Sequence, residues 1–381
     1  MQNLKFDFDD ILIIPQVHTP ITSRYNDITL PDTFPLFTAP MDTVVDLSNA
    51  REFINKGIRV CLPRTIKPQQ YYTKEAQLPD LDIAATDKES RAITYNDSMF
   101  PSIGLGDYQK LCHEDIVMLR SFKNILIDVA NGHMEKILDA CWHIKEYNPN
   151  IKIMVGNIGN PETYRWYAES GYVDYIRVGI GNGGGCLTTK QSGVGYPMAS
   201  LIHETYLVKQ AFIESNDIDK KFENSVLRTK PKKVIPAIVA DGGMKDYADV
   251  VKALALGADF VMLGSIFNKA LESCADNIYN GKIIDKNKAQ KLFLEGKEIT
   301  KHFRGMSTKG AQKAMGKTAV KTSEGVERIR PVEYTLEKWV ENFEHYLRNA
   351  MSYADAATLD DFIGKAEFCQ ITTRAYDRFN K

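Results

Sequence analysis

The chain has 381 residues, of which 44% are hydrophobic and 25% charged, enough for a sizeable core in one large domain or two ordinary ones. Lys+Arg (48) and Asp+Glu (49) nearly cancel, so composition offers no general affinity for nucleic acid or a membrane, and any anion site must be local. No apolar run approaches membrane-spanning length, and the stretch Met1-Gln2-Asn3-Leu4-Lys5-Phe6-Asp7 lacks the apolar core of a signal peptide. The six cysteines (61, 112, 141, 186, 274, 369) are scattered without a CxxC pair, which argues against a zinc site or a disulfide framework and for a reducing, cytoplasmic setting. All but Cys186 read as small apolar core residues.

Taken in chain order, short apolar runs that finish in small or polar residues fall at 35–39, 58–62, 100–104, 124–128, 151–156, 174–179, 234–241 and 258–264. Helical spacing separates most of them, as at 134–147, 161–170 and 247–256. Eight β units alternating with helices predict an α/β fold with a parallel sheet, and eight suits closure into a (β/α)8 TIM barrel. Three stretches depart from the repeat. The segment 71–99 reads as a polar surface excursion and 215–233 as a charged loop inserted before the seventh strand. The segment 286–330 is Lys-rich, with Gly305, Gly310, Gly316 and Gly325 spaced through it, and suits a mobile flap or a long surface loop equally well. Beyond 335, amphipathic helices run to 381 with no obvious linker, so 1–381 reads as a single barrel domain with a helical extension at 335–381.

The chemically interesting residues fall at strand C-terminal ends, where barrel enzymes build their sites. They are Asp42, Arg64, Asp128, Asn157, Cys186, Asp241-Gly242-Gly243 and Gly264-Ser265. The run Gly179-Ile180-Gly181-Asn182-Gly183-Gly184-Gly185-Cys186 holds five glycines in eight residues, so backbone N–H groups can close around an anion beside a thiol. The plainer reading is a flexible loop with a small cysteine. The apolar strand before it and the glycine turns after the seventh and eighth strands favour chemistry. Asp241 suits ribose hydroxyls, and the N–H groups of Gly264-Ser265 suit a phosphate; with the Cys186 loop they suggest a nucleoside monophosphate. Arg304-Gly305-Met306-Ser307 adds a turn that could touch a base or phosphate. Glu324, in Ser323-Glu324-Gly325, reads in isolation as a solvated charge.

These motifs resemble the IMP dehydrogenase/GMP reductase family from Asp9-Asp10-Ile11-Leu12 through the C-terminal helices. The resemblance is carried by Ala39-Pro40-Met41-Asp42-Thr43-Val44, the glycine-rich stretch 179–197, Ala240-Asp241-Gly242-Gly243, Phe260-Val261-Met262-Leu263-Gly264-Ser265 and Phe303-Arg304-Gly305-Met306-Ser307. It implies a (β/α)8 barrel, usually assembled as a homotetramer. Dehydrogenases usually carry paired CBS modules between the second and third strands, and 65–99 is too short for them. They also use an Arg-Tyr pair on the flap to activate water, and 309–326 contains none. Ile127-Asp128-Val129-Ala130-Asn131-Gly132-His133, Gly193-Val194-Gly195-Tyr196-Pro197 and Ser323-Glu324-Gly325 resemble the reductase branch instead.

The reductase reaction implied is the NADPH-dependent conversion of GMP to IMP and ammonia. A thiolate can add to the electron-poor carbon 2 of guanine, and the departing amine needs a proton donor. By resemblance Cys186 is the nucleophile, and Thr188 and Glu324 handle the proton. Asp241, Gly242, Gly243, Gly264 and Ser265 carry over to ribose and phosphate, joined by Gly183 and Gly184 of the loop. Arg304, Gly305, Met306 and Ser307 carry over to the base side. Asp128, Asn131, Gly132, Asn157 and Arg64 carry over to the nicotinamide side. The dehydrogenase branch holds a monovalent cation such as K+ on carbonyls of this loop, here those of Gly181, Gly183 and Cys186; for this chain the resemblance leaves that site open.

The loop departs from the family's Gly-Ser-x-Cys-Thr-Thr-Arg. The serine position is Gly184, the arginine position is Thr189, and Lys190 is the neighbouring cation, without an arginine's fork. Tyr196-Pro197-Met198 replaces the usual glutamine after proline. A deoxy or modified purine nucleotide therefore stands beside GMP as a candidate substrate. Two other readings remain: a CBS-less IMP dehydrogenase using NAD, and a non-catalytic purine-nucleotide-binding barrel.

Overall fold

A computed structural model describes residues 4–67, 70, 97–114, 119, 122–222, 234–316, 318 and 325–379. The short strand β1 (Ile11–Ile13) precedes eight parallel strands. These are β2 (Leu36–Thr38), β3 (Arg59–Leu62), β4 (Met99–Ile103), β5 (Asn124–Asp128), β6 (Lys152–Ile158), β7 (Tyr175–Val178), β8 (Ala237–Asp241) and β9 (Phe260–Leu263). They close in sequence order into a barrel, sealed where Leu36, Phe37 and Thr38 pair with Val261, Met262 and Leu263. The eight-stranded expectation is met, and each run lies within a residue or a few of its predicted place.

The barrel closes because its strands are apolar on both faces. Phe37, Cys61, Phe100, Leu126, Met154, Val239 and Met262 fill the interior. Alternate residues, such as Val60, Ile125, Ile127, Ile176, Ile238 and Val261, join the core shared with the helices. Phe37 meets Phe100 and Phe260 edge-on, each at 5.3 Å between centroids. The C-terminal helix Leu336–Tyr353 starts at Thr335, whose hydroxyl accepts from Lys338 N, and buries Leu336, Trp339, Val340, Phe343, Leu347 and Met351 on one stripe.

After β9 the chain builds a second, antiparallel sheet from β10 (Asn277–Tyr279), β11 (Lys282–Ile284), β12 (Thr300–Arg304) and β13 (Glu327–Pro331), in the order β11-β10-β12-β13. The segment 286–330 is thus structured over much of its length, with helices Lys286–Leu294 and Lys309–Ala314 around β12. Gly305 and Gly310 belong to the turn and helix that follow β12.

Three expectations need correction. The helix Met198–Phe222 runs through the first part of the proposed 215–233 loop. Neither Gly nor Pro interrupts it, so its charges do not end it; 223–233 lies outside the described residues, as does 71–96 of the earlier excursion. The C-terminal extension is not purely helical, since β14 (Phe368–Gln370) pairs antiparallel with β1. Cys369 on that strand is exposed and Cys274 half-buried, against the expectation of core cysteines, whereas Cys61 and Cys141 are buried. No helix among the described residues is long and apolar enough to cross a membrane.

Candidate active site

The C-terminal ends of the barrel strands open into a cavity of about 440 Å³, covered on one side by the second sheet. Its floor is charged and largely buried. Arg177, on β7 and 5% exposed, donates to Asp128 Oδ1 at 2.6 Å and to Asp241 Oδ2 at 2.7 Å. Burial disfavours the guanidinium charge, but the carboxylates of Asp241 and Asp128 outweigh it and raise the Arg177 pKa. Asn157 stands at a register shift between β6 and β7, which aims its amide across the barrel top. Its Nδ2 donates to Asp241 Oδ2 and to the Gly179 carbonyl, both at 2.8 Å. Both side-chain bonds to Asp241 land on Oδ2. Among the described residues, Oδ1 accepts none, although Asp241 lines the cavity.

The rim is built from backbone. Cys186 N donates to Gly183 O at 2.9 Å, and Cys186 pairs with Gly325 across an isolated antiparallel bridge. Val326 N donates to Gly185 O and Gly305 N to Val326 O, both at 3.0 Å, so three chain segments meet at van der Waals range. Only glycine allows this. A Cβ on Gly305 would stand 2.3 Å from Gly185 O, and one on Gly325 would stand 2.6 Å from Thr308 Cγ2. The half-buried Cys186 Sγ lies 3.3 Å from Thr188 Oγ1, at the start of the helix Thr188–Ser192.

Of the predicted nucleotide contacts, Gly183, Gly184, Asp241, Gly242, Gly243, Gly264, Ser265, Gly305, Met306 and Ser307 line this cavity together with Cys186. Arg304 does not. Its guanidinium forms a two-pronged pair with Asp42, with Nε 3.1 Å from Oδ1 and a second, shorter bond to Oδ2. Both residues are thereby committed to tying β12 to the barrel end after β2. Glu324 lies outside the described residues.

The residues expected on the nicotinamide side gather at neighbouring strand ends, and only Asp128 among them also lines the cavity. Arg64 reaches the Asp128 carbonyl at 3.4 Å and Asp107 Oδ2 at 3.5 Å, and its buried Nε has no hydrogen-bond partner among the described residues. Gly132 N donates to Asn157 O at 2.8 Å, and Asn131 Oδ1 accepts from His133 N at 3.1 Å. For a monovalent cation, the Gly183 carbonyl is already engaged by Cys186 N. Among the described residues no cluster of His, Cys, Asp and Glu could hold a metal.

Sequence reasoning assigned no role to several residues that line the site, Arg177, Phe303, Arg328 and Arg330 among them. Arg177 was legible as a lone charge in the apolar run of β7. Phe303, Arg328 and Arg330 belong to the second sheet, where Phe303 pairs directly with Arg328. The alternation in Glu327-Arg328-Ile329-Arg330 sets both arginines on one face of a strand, but nothing in the sequence placed that strand over the cavity. Lys190, the cation beside the position of the missing family arginine, does not line the cavity, and Thr189 donates to Val194 O at 2.8 Å.

Residues 5–378 match the family described as IMP dehydrogenase / GMP reductase domain. Among curated relatives, the chain is 27% identical over 391 residues to GMP reductase 2 of Mus musculus, covering 99% of this chain and 97% of the mouse protein. It is 27% identical over 398 residues to the GMP reductase of Phytophthora infestans, covering 99% and 94% respectively. An inosine-5'-monophosphate dehydrogenase of Chlorobaculum parvum is 29% identical over 261 residues, covering 65% of this chain and 45% of that protein.

Proposed function

Because the chain belongs to the IMP dehydrogenase/GMP reductase family, we propose that it is an oxidoreductase of purine nucleotides, a GMP reductase that converts GMP or a close analogue to IMP and ammonia with NADPH. The observation that carries this reading is Cys186, 3.3 Å from the Thr188 hydroxyl at the edge of a cavity that also presents Asp241 and the Gly264-Ser265 turn. Near end-to-end similarity to GMP reductases supports the same branch.

In this reading Asp241 Oδ1 accepts from a ribose hydroxyl while Arg177 and Asn157 hold the carboxylate still from the Oδ2 side. Cys186 Sγ attacks carbon 2 of the purine, forming a C–S bond, and the exocyclic amine leaves as ammonia after taking a proton. Thr188, hydrogen-bonded to the thiol, and Glu324 pass that proton. Gly325, which follows Glu324 in sequence, pairs with Cys186, and this supports a role for the glutamate beside the thiol. Arg64, whose buried Nε has no partner among the described residues, and Asp128, Asn131, Gly132 and Asn157 would hold the nicotinamide cofactor. When bound, NADPH supplies the hydride that replaces sulfur at carbon 2.

The test is an assay of the purified protein with GMP and NADPH against IMP and NAD, following both nucleotide product and ammonia. Ammonia release coupled to NADPH consumption is the expected result. NADH formation from IMP would assign the dehydrogenase reaction instead, and tight binding of purine nucleotides without turnover on either pair would leave a binding protein. Cys186→Ala is expected to abolish turnover, by at least about 10³-fold, while retaining nucleotide binding.

A further inference from the structure

The cavity wall carries more cations than its neighbours neutralise. Arg177 is matched by Asp128 and Asp241, Lys245 Nζ lies 2.8 Å from Asp9, and Lys269 Nζ lies 2.8 Å from Glu333. Arg328 and Arg330 line the same cavity, and neither forms an ion pair among the described residues. Each guanidinium instead lies 5.2 Å from the centre of the Phe303 ring, which is fully buried beneath them. Their polar contacts go to backbone on the two turns expected to hold phosphate. Arg328 donates to Gly184 O at 3.3 Å, and Arg330 donates to Ser265 O at 3.2 Å.

Resting on the purine-nucleotide reading of this site, we infer that Arg328 and Arg330 are the phosphate-recognising side chains, a guanidinium pair on β13 that clamps the nucleotide's phosphate dianion between the Gly184 and Ser265 turns. The loop itself offers no such donor: position 184 is glycine, Thr189 is bonded beneath the loop, and Lys190 lies off the cavity. Two arginines held over one ring repel each other until an anion lies between them, and a phosphate accepts both forks at once. The electrostatics agree: burial lowers the Arg330 pKa, and the charge of Arg328 lowers it further. With glycine at the loop's serine position, recognition in this chain rests on charged side chains of the covering sheet.

The test compares wild type with Arg328→Gln, Arg330→Gln and the double variant, using GMP and guanosine as alternative substrates with NADPH. Charge-assisted hydrogen bonds of this kind change affinity roughly 10- to 100-fold each. The double variant should therefore raise the KM for GMP by at least about 100-fold, and the preference for GMP over guanosine should collapse. Lys190→Gln should keep that preference. A folded double variant whose KM for GMP stays within about twofold of wild type overturns the assignment, as does a collapse caused by Lys190→Gln instead. If wild type turns over no purine nucleotide, the reductase reading fails separately. The arginine assignment is then read from the thermal shift produced by inorganic phosphate and pyrophosphate: a shift in wild type that is lost in the double variant upholds it, and equal shifts in both overturn it.

Discussion

Arg177, inside the barrel, lies between two carboxylates, whereas Lys301, inside the second sheet, donates only to neutral oxygens. Lys301 is fully buried, and its Nζ reaches Leu271 O at 2.8 Å, Ser273 O at 2.6 Å and Ser273 Oγ at 2.9 Å. The Asp241 and Asp128 charges overcome burial at Arg177 and raise its pKa; at Lys301 burial dominates and pushes the ammonium down to about 8. The two regions therefore answer pH differently. The barrel floor has a fixed charge pattern that holds Asp241 in place, and the sheet that covers the cavity contains a cation able to lose its proton in mildly alkaline solution.

The sharpest way to break the floor is Arg177→Met. It would leave Asp128 and Asp241 facing each other with their shared cation gone, and removing one partner of a buried ionic network typically costs about 3–5 kcal/mol. Urea unfolding should show a loss of that size. A loss under about 1 kcal/mol would mean that water or Asn157 satisfies the carboxylates without the arginine.

Lys301→Met probes the other side of the comparison. A lysine whose folded pKa lies near 8 and whose unfolded pKa lies near ~10.4 binds fewer protons when folded across that window. Its contribution to stability is complete above the unfolded value and is lost as pH falls through the folded one. From pH ~8 to ~10.4 the wild type should thus gain roughly 3 kcal/mol of unfolding free energy relative to the variant, measured by urea titration at each pH. A difference flat in pH would show that the carbonyl cage keeps the ammonium charged throughout.

The same contrast explains what could be read from the sequence. The barrel was legible because each of its strands is a short apolar run ending in a small or polar residue, and the local signal coincides with the tertiary role. The second sheet was not, since Glu327-Arg328-Ile329-Arg330 carries no apolar face and pairs only with distant β12. One local signal was available: Asn280-Gly281, with φ of 48° and 74°, is a two-residue hairpin turn between β10 and β11. The Arg304–Asp42 pair was not legible, because a motif position fixes a residue's place in the chain but not its partner. The Cys186 loop was legible as a run of glycines expected to close on an anion, but the chain segments packed against it were invisible. Gly305 and Gly325 flank the paired strands β12 and β13, so their contacts with Gly185 and Cys186 depend on a pairing that the local sequence does not announce.

Gly305→Ala tests that three-segment contact. Its Cβ would need the space of the Gly185 carbonyl, which itself accepts from Val326 N, so the turn must move and that bond must stretch. A cost of about 1–3 kcal/mol is expected, with a larger relative loss of turnover than of stability because Cys186 follows Gly185 directly. Unchanged stability and turnover would mean that the sheet and loop part easily.

Gly183→Ala should produce the smallest effect on the fold and for that reason isolates the cavity. An added Cβ there meets nothing within 4 Å, and the backbone is outside the left-handed region that demands glycine. Alanine at such a position narrows the unfolded ensemble, so stability should hold or rise by about 0.4–1 kcal/mol. Gly183 nonetheless lines the cavity beside Gly184 and Gly242. A methyl group projecting there should weaken nucleotide binding while thermal unfolding stays put or moves up. Opposite signs for stability and affinity are the signature of space kept for a ligand. If affinity is untouched, the nucleotide lies nearer the Arg328 and Arg330 side of the cavity than the glycine loop suggests.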